Sequence, residues 1–565
     1  MALPSVSLTF KDGGLGIITS GAGRMQVKVG LSTIGTPGVA QTCANPTTAK
    51  TLLGAGPLAD AVIGHVGRSG AAVLAVNCVL GTAGSVGAFT QVGSGAGVVS
   101  ASCAPHQQVL IKCFLGGALG TSTFQFSVNG AAYGPVVASV AGSTWAYRVP
   151  GTFTTLTFAT GTYRTGDVYT LPVTGTVSAS VPAGGPATIT QVSSPLDAYK
   201  LQVKIALAGA LATAQFTYSL DGGSVVSSPI TTAASYVIPN TGIVLGFSAA
   251  AYVATDTYSA TCSPPTFTSS AAQAAIEAAF ADGTAFEGIH IVGTTDTSAN
   301  AAVIATMLES EVQSAATTLL RYVWGVCECP TVEADATVKA ALASFVSTTG
   351  RVSIAIGQCD LLSRDNALTM IRSIAWPYCT RLASTRMSEH PGKVMLGSLT
   401  GVSDIYPTFG GASCADTFDS ARFVTARRIT GMPGLYITRG QTMSLPTSDY
   451  SRIMNVRVAN RAATIAQTAF TYFLNNDWRI DPDTGKLDAR DAIVLEGQVL
   501  NQLRTALIGE PGSATDEVSS VSVALNPDNN MLSDSTLGAA ISIVPKGYGE
   551  QINVGIGFVN PQITG

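Results

Sequence analysis

Charge is what this sequence has least of. Asp, Glu, Lys and Arg make up 11% of its 565 residues, against about 25% in ordinary soluble domains, so much of the surface is expected never to face free water. With a net charge of −4 and no basic block, the chain lacks the electrostatic footprint of nucleic-acid or anionic-lipid binding. No apolar run reaches the ~18 residues a membrane helix needs, and residues 1–10 lack the charged and apolar regions of a signal peptide. The expectation is a chain made and kept in the cytosol, with no nucleic-acid partner and no membrane insertion. Ten cysteines lie between Cys43 and Cys414, and the one close pair, Cys327 and Cys329, has the wrong spacing for a zinc or redox CxxC, which predicts buried, inert thiols.

Chemistry-bearing motifs are equally scarce. His65, His106, His290 and His390 never fall at the i, i+4 spacing of a helical zinc pair, and there is no GxSxG elbow, Walker A loop or HExxH. No catalytic residue, metal ligand or cofactor site is therefore expected. Two near matches read as plain structure. Leu53-Gly-Ala-Gly-Pro-Leu-Ala59 has the form G-x-G-x-x-A, but no clear strand precedes it and no acid follows about 20 residues later. A loop leading into a helix accounts for it. Asp481, Asp483 and Asp488 resemble a calcium loop, yet Gly485 and Ala492 stand where ligands belong, so a hairpin or turn is predicted.

What is present is pattern. The length predicts roughly three to four domains. Residues 1–25 hold a short alternating strand, Val6, Leu8 and Phe10, followed by glycines that make a flexible tether. Residues 26–80 read strand, helix, strand. Charge nearly vanishes over 81–265, where strand-like alternation repeats itself: 117–130 matches 209–222 at an offset of 92, and Pro150, Phe158, Tyr163, Asp167 and Tyr169 match Pro239, Phe247, Tyr252, Asp256 and Tyr258 at an offset of 89. Two tandem β modules, 81–180 and 181–265, are expected, inserted into an α/β domain that resumes over 266–440.

In the last part, 441–548, Ile453, Val456, Ala463, Ala466, Phe470 and Phe473 mark a helix with Arg452, Arg457 and Arg461 mostly on other faces. Asp488 caps a second helix carrying Ala492, Leu495, Val499, Leu503 and Leu507. Strands follow at 518–525 and 539–544. In the closing segment, 549–565, Ile552, Val554, Ile556 and Phe558 share one face of a last strand. It either completes a sheet in a neighbouring subunit or closes its own domain as a hairpin with 539–544.

Arg-Val-Ala-Asn-Arg at 457–461, Asp-Pro-Asp-Thr-Gly at 481–485 and Asp-Ala-Ile-Val-Leu-Glu at 491–496, with the closing strands to Pro561, resemble the contractile tail sheath proteins of bacteriophages. A weaker echo lies in residues 53–76. The resemblance implies a mixed α+β and α/β multidomain fold: a tail-sheath-like core, an inserted pair of sandwich-like all-β modules, and a helical C-terminal domain with terminal β arms. It also implies a structural subunit of the virion tail, assembled in the host cytoplasm. Its partners would be copies of itself in stacked hexameric rings, the tail tube protein, and the baseplate and tail terminator proteins. Val6, Leu8, Phe10, Ile552, Val554, Ile556 and Phe558 would be inter-subunit arm strands, and Arg452, Arg457 and Arg461 candidates to face the tube. The rivals are a β-repeat adhesin or tail fibre, which needs exposed aromatics in 81–265, and a cytosolic α/β enzyme.

Overall fold

The computed structural model describes residues 24–554 apart from 83–84, 87–89, 93–98, 104–108, 129–131, 151–154, 172–177, 181–188, 193–194, 240, 294–296, 330–334, 407–417, 512, 514, 527–536 and 551. The expected strand of Val6, Leu8 and Phe10 lies outside the described residues, as do Ile556 and Phe558. The chain forms two compact units, Met1–Thr385 with Pro391–Ile453, and Arg386–His390 with Met454–Gly565.

The first unit is built on a six-stranded sheet in the order Ala40–Cys43, Val73–Asn77, Gln26–Gly30, Gly288–Ile291, Trp324–Cys329, Val352–Ile356. Only the Ala40–Cys43 edge runs antiparallel. The other five strands are buried along their whole length, which requires helices on both faces. One face, with Val27, Val29, Ile289, Ile291, Cys327 and Cys329, packs on helices Ser269–Ala281 and Ser298–Thr318. Thr268 and Thr297 cap these two, each accepting a backbone N–H three residues on. The G-x-G-x-x-A stretch is a turn with Gly54 and Gly56 at positive φ, and Pro57 then opens the helix Pro57–Ser69; glycine meets that backbone need without a Cβ penalty.

Strands on both sides of the β insertion share this one sheet. At its neck Gly81 N and Thr82 N both donate to Thr266 O, at 2.9 and 3.1 Å, so the chain leaves and re-enters the core side by side. Between lie two sandwiches built alike. The first stacks a sheet ordered Val168–Leu171, Val109–Leu115, Thr123–Val128, Val137–Ala138 against one ordered Thr144–Arg148, Thr155–Ala159, Ile189–Val192, Ser178–Ser180. In the second, Thr257–Ser263, Tyr199–Leu207, Gln215–Ser219 and Ile230–Thr231 repeat the first order, and Ser235–Ile238 and Ile243–Phe247 repeat the start of the other. The repeat fixes the cores as well: Phe124 lies 4.7 Å from Phe158 and Phe216 lies 4.6 Å from Phe247, ring centre to ring centre. The hydroxyls of Tyr163 and Tyr252 each donate to the carbonyl four residues back.

The two modules are not simply consecutive. Ile243–Phe247 pairs with Val99–Cys103, and Thr257–Ser263 with Ser85–Val86 and Thr90–Val92, so strands preceding the first module complete the second. The expected 180/181 boundary falls between Ser178–Ser180 and its partner Ile189–Val192 within one sheet. The first module is thus nested inside the second. Sequence similarity identifies equivalent strands, but pairing follows proximity, and the strands next to the neck are held together by it.

In the second unit, helices Ile453–Thr471 and Ala489–Leu507 and the hairpin of Ser520–Leu525 with Ala539–Val544 share a core of Val458, Ala462, Leu495, Val499, Leu503, Leu507, Val521 and Val523. The side chain of Asp488 caps the second helix, as its position predicts. Four fully buried side chains at steps of four contribute on the order of 1.5 to 3 kcal/mol each. The Asp481 carboxylate accepts from Asp483 N and Thr484 N, closing a turn between the bridged Ile480 and Leu487. Residues 386–390 are stitched to this unit through Glu517, whose carboxylate accepts from Met387 N and Ser388 N.

Candidate functional site

Two features carry chemistry or contact potential: a chain of polar groups inside the first unit, and the ends of the second. The polar chain arises from strand alternation. Residues that do not face Val27 and Ile289's helices point to the opposite face, under helices Pro57–Ser69 and Ala375–Ser384, and there Gln26, Lys28, His290 and Glu328 interrupt otherwise apolar strands. Lys28 Nζ lies 2.8 Å from His290 Nδ1, His290 Nε2 lies 3.1 Å from Glu328 Oε1, and Trp376 Nε1 donates to Glu328 Oε1 at 2.8 Å. Lys28 and His290 are 0% and Glu328 3% exposed. Burial pushes Glu328 up to about 7, opposed by its bond from Trp376, and pulls Lys28 down to about 8. Burial, with Lys28 and His65 adding to it, holds His290 well below the usual imidazole range.

Beside this chain Arg372 binds two carboxylates. Its Nε and Nη2 donate to Asp60 Oδ2 at 3.0 and 2.6 Å, and its Nη1 and Nη2 to the two oxygens of Asp197 at 2.7 Å each. The guanidinium also stacks 4.6 Å from the Trp376 ring centre. Burial alone would lower its pKa, and the two carboxylates override that and raise it. Asp60 sits on the helix Pro57–Ser69, while Asp197 leads into the second β module. The clamp therefore joins insertion to core. Met370, on the same strand as Arg372, packs within the module's own apolar cluster. Sequence reasoning named His290 without its partners and missed Lys28, Glu328 and Arg372; the available signal was one charged residue or histidine inside each strand.

These groups form a brace and not an open site, because none of the three linked side chains reaches solvent. Every cysteine whose side chain is described is buried and outside any disulfide. Among the described residues no cluster of His, Cys, Asp or Glu could hold a metal ion, and no helix is long and apolar enough to cross a membrane. In the β modules Trp145, Tyr163, Tyr169, Tyr252 and Tyr258 are buried, which removes them from the exposed aromatic cluster an adhesin would need.

The three arginines part company. Arg461 is exposed and Arg452 half-buried in a bridge with Gln441, but Arg457 is 2% exposed and donates to Arg386 O at 3.3 Å. Its placement on a tube-facing surface is thereby corrected: the first turns of the helix are enclosed on more than one apolar stripe. At the C-terminal end Ile552 and Val554 are 82% and 74% exposed and outside any strand pair.

A two-unit, mixed α/β architecture with a nested β insertion is the class these observations define. The sequence matches the family described as DUF2586, N-terminal domain, over residues 3–441, and the chain belongs to that family. No curated protein matches it. Among solved structures it is similar to the sheath tail protein from Desulfitobacterium hafniense, at 12% identity and a TM-score of 0.40, covering 96% of this chain and 100% of that one. It is also similar to the sheath tail protein from Listeria innocua, at 13% identity and a TM-score of 0.37, covering 93% and 95%. A third similar chain comes from the baseplate of the anti-feeding prophage, at 12% identity and a TM-score of 0.35, covering 52% and 74%.

Proposed function

We propose that this chain is a structural, non-catalytic subunit of a contractile tail sheath, which polymerises around an inner tube and contracts to drive that tube through a host envelope. The observation that carries the reading is the end of the second unit. There a hairpin has an edge with no partner among the described residues, and two apolar side chains, Ile552 and Val554, stand in solvent. A strand edge and a loose apolar strand in one molecule are an aggregation hazard unless each serves as the other's partner between copies. The motifs at 457–461, 481–485 and 491–496 support the same reading.

In this reading residues 26–80 with 266–440 are the sheath core, 81–265 an outer layer, 441–548 the sheath C-terminal domain, and 1–25 and 549–565 the arms. Stacked hexameric rings, a tube protein, a baseplate and a terminator are the partners, with assembly in the host cytoplasm and residence in the virion tail. Arg461 and Arg452 remain candidates to face the tube through screened, exchangeable contacts. Removal of residues 1–12, or of 550–565, is expected to give a folded monomer that forms no cylinders in negative stain. Cylinders of normal length from either shortened chain would remove the arm-exchange reading.

A further inference from the structure

A groove of about 740 Å³ opens at the first residue of the Ala539–Val544 strand, its apolar wall made by Phe470, Phe473, Leu474, Trp478, Ile480 and Leu537 beside Ala539 and its polar part by residues 475–477. The hairpin explains why it is there. Its register sets Val521 beside Ile543, Val523 beside Ile541 and Leu525 beside Ala539, so the last inward row ends in a methyl group where the others end in a branched chain. The groove lies at the Ala539 end of that short row.

The chain's own continuation leads elsewhere. Lys546 Nζ donates to Asp516 O at 2.6 Å, Tyr548 Oη to Ser388 O at 2.7 Å, and His390 Nε2 lies 3.8 Å from Glu550 Oε1. Ser519 N donates to Val544 O at 2.9 Å, so residues 545–550 pass on the side of Asp516 and Ser519 and do not turn back along the open edge. Ile552 and Val554 are then left uncovered, with the remaining eleven residues beyond them.

We propose that the C-terminal segment of a second copy adds antiparallel to the free edge of Ala539–Val544 and seats Phe558 in this groove. The inference rests on the arm-exchange reading and adds its direction, register and anchor. In an antiparallel pair the end of the incoming strand lies at the start of Ala539–Val544, which brings its one aromatic residue to the one short row. Val554 then falls beside Ile543, Ile556 beside Ile541 and Phe558 beside Ala539, while Gly555 and Gly557 face outward. Parallel addition in the matching register would put Ile552 at the groove and carry Phe558, the segment's one aromatic ring, past Val544 and away from it.

Cysteine pairs test the register, because Ala540 and Gly557 would stand directly opposite. The double variant A540C/G557C, oxidised during assembly, is expected to give a ladder of disulfide-linked oligomers on a gel without reductant. A540C/G555C should give about tenfold less, its Cα atoms being too far apart. F558A and L474D, the latter at a position 71% exposed and so tolerated by the monomer, should each raise the assembly threshold by about tenfold or more. A monomeric disulfide in A540C/G557C would show that the strand closes on its own hairpin. A ladder from A540C with T9C in its place would assign the groove to the N-terminal arm. If F558A assembles normally while the 550–565 truncation stays monomeric, exchange stands and the groove is not its anchor; if the truncated chain assembles, exchange itself fails.

Discussion

Glu328 keeps its proton to about pH 7 because burial penalises its charged form more than the Trp376 indole N–H, the Gly293 backbone N–H and the cations Lys28 and Arg372 favour it. Its folded pKa thus lies above the ordinary 4.5, so between those values the folded protein binds more proton than the unfolded one. The stability this group contributes is complete below pH 4.5 and is lost as pH rises through 7. The Glu328→Gln variant keeps an amide oxygen to accept from Trp376 and His290 and removes the titration. Urea unfolding from pH 4.5 to 7.5 should show wild type losing on the order of 3 kcal/mol relative to the variant across that window. Parallel curves would mean that Glu328 does not titrate there. This chain of contacts could not be read from the sequence. Lys28 and His290 are neighbours in register across 262 positions, and no local pattern links them, whereas the Asp488 cap depends only on the residues beside it.

Among the β elements, nesting gives an outcome that a tandem pair would not. Cys103 pairs with Ile243, and Leu196 N donates to Thr241 O at 2.9 Å, so both ends of the inner module leave the outer one within a few residues of each other. Excising 104–195 and bridging the gap with a short Gly/Ser link should leave a soluble protein with one cooperative thermal transition. Excising 81–180 instead removes the strands that close the outer module and strands Ile189–Val192 without its sheet, and should give insoluble protein. Circular dichroism melting and size-exclusion chromatography of the two variants distinguish the topologies. The repeat at offsets of 89 and 92 made the existence of two modules legible. It could not tell which strand closes which sandwich, because Val99–Cys103 resembles an edge strand of either.

At the scale of the whole chain, one buried arginine ties the insertion to the core. Arg372→Met would leave Asp60 and Asp197 in the interior without their common cation, and removing one partner of a buried ion pair costs about 3 to 5 kcal/mol. A fall of that size in the unfolding free energy from urea titration is expected, with partial recovery when Asp197→Asn is added, since that change removes one of the two stranded charges. A neutral result would show that the clamp does not hold the insertion to the core. The alternation that makes each core strand was legible as apolar runs, but the meeting of strand, helix and inserted module at Arg372 depends on three distant segments.

The parallel sheet also sets a timetable for synthesis. The Gln26–Gly30 strand finds one neighbour at Val73–Asn77, but its other, Gly288–Ile291, lies some 260 residues further on. At roughly 5 to 20 residues per second, a ribosome needs about 10 to 50 s to deliver it. During that wait the inner β module completes first, the outer module next, and the core that encloses both in sequence last. An apolar strand edge waits on the nascent chain throughout, so protection by chaperones is needed most at this stage, before the core sheet has closed.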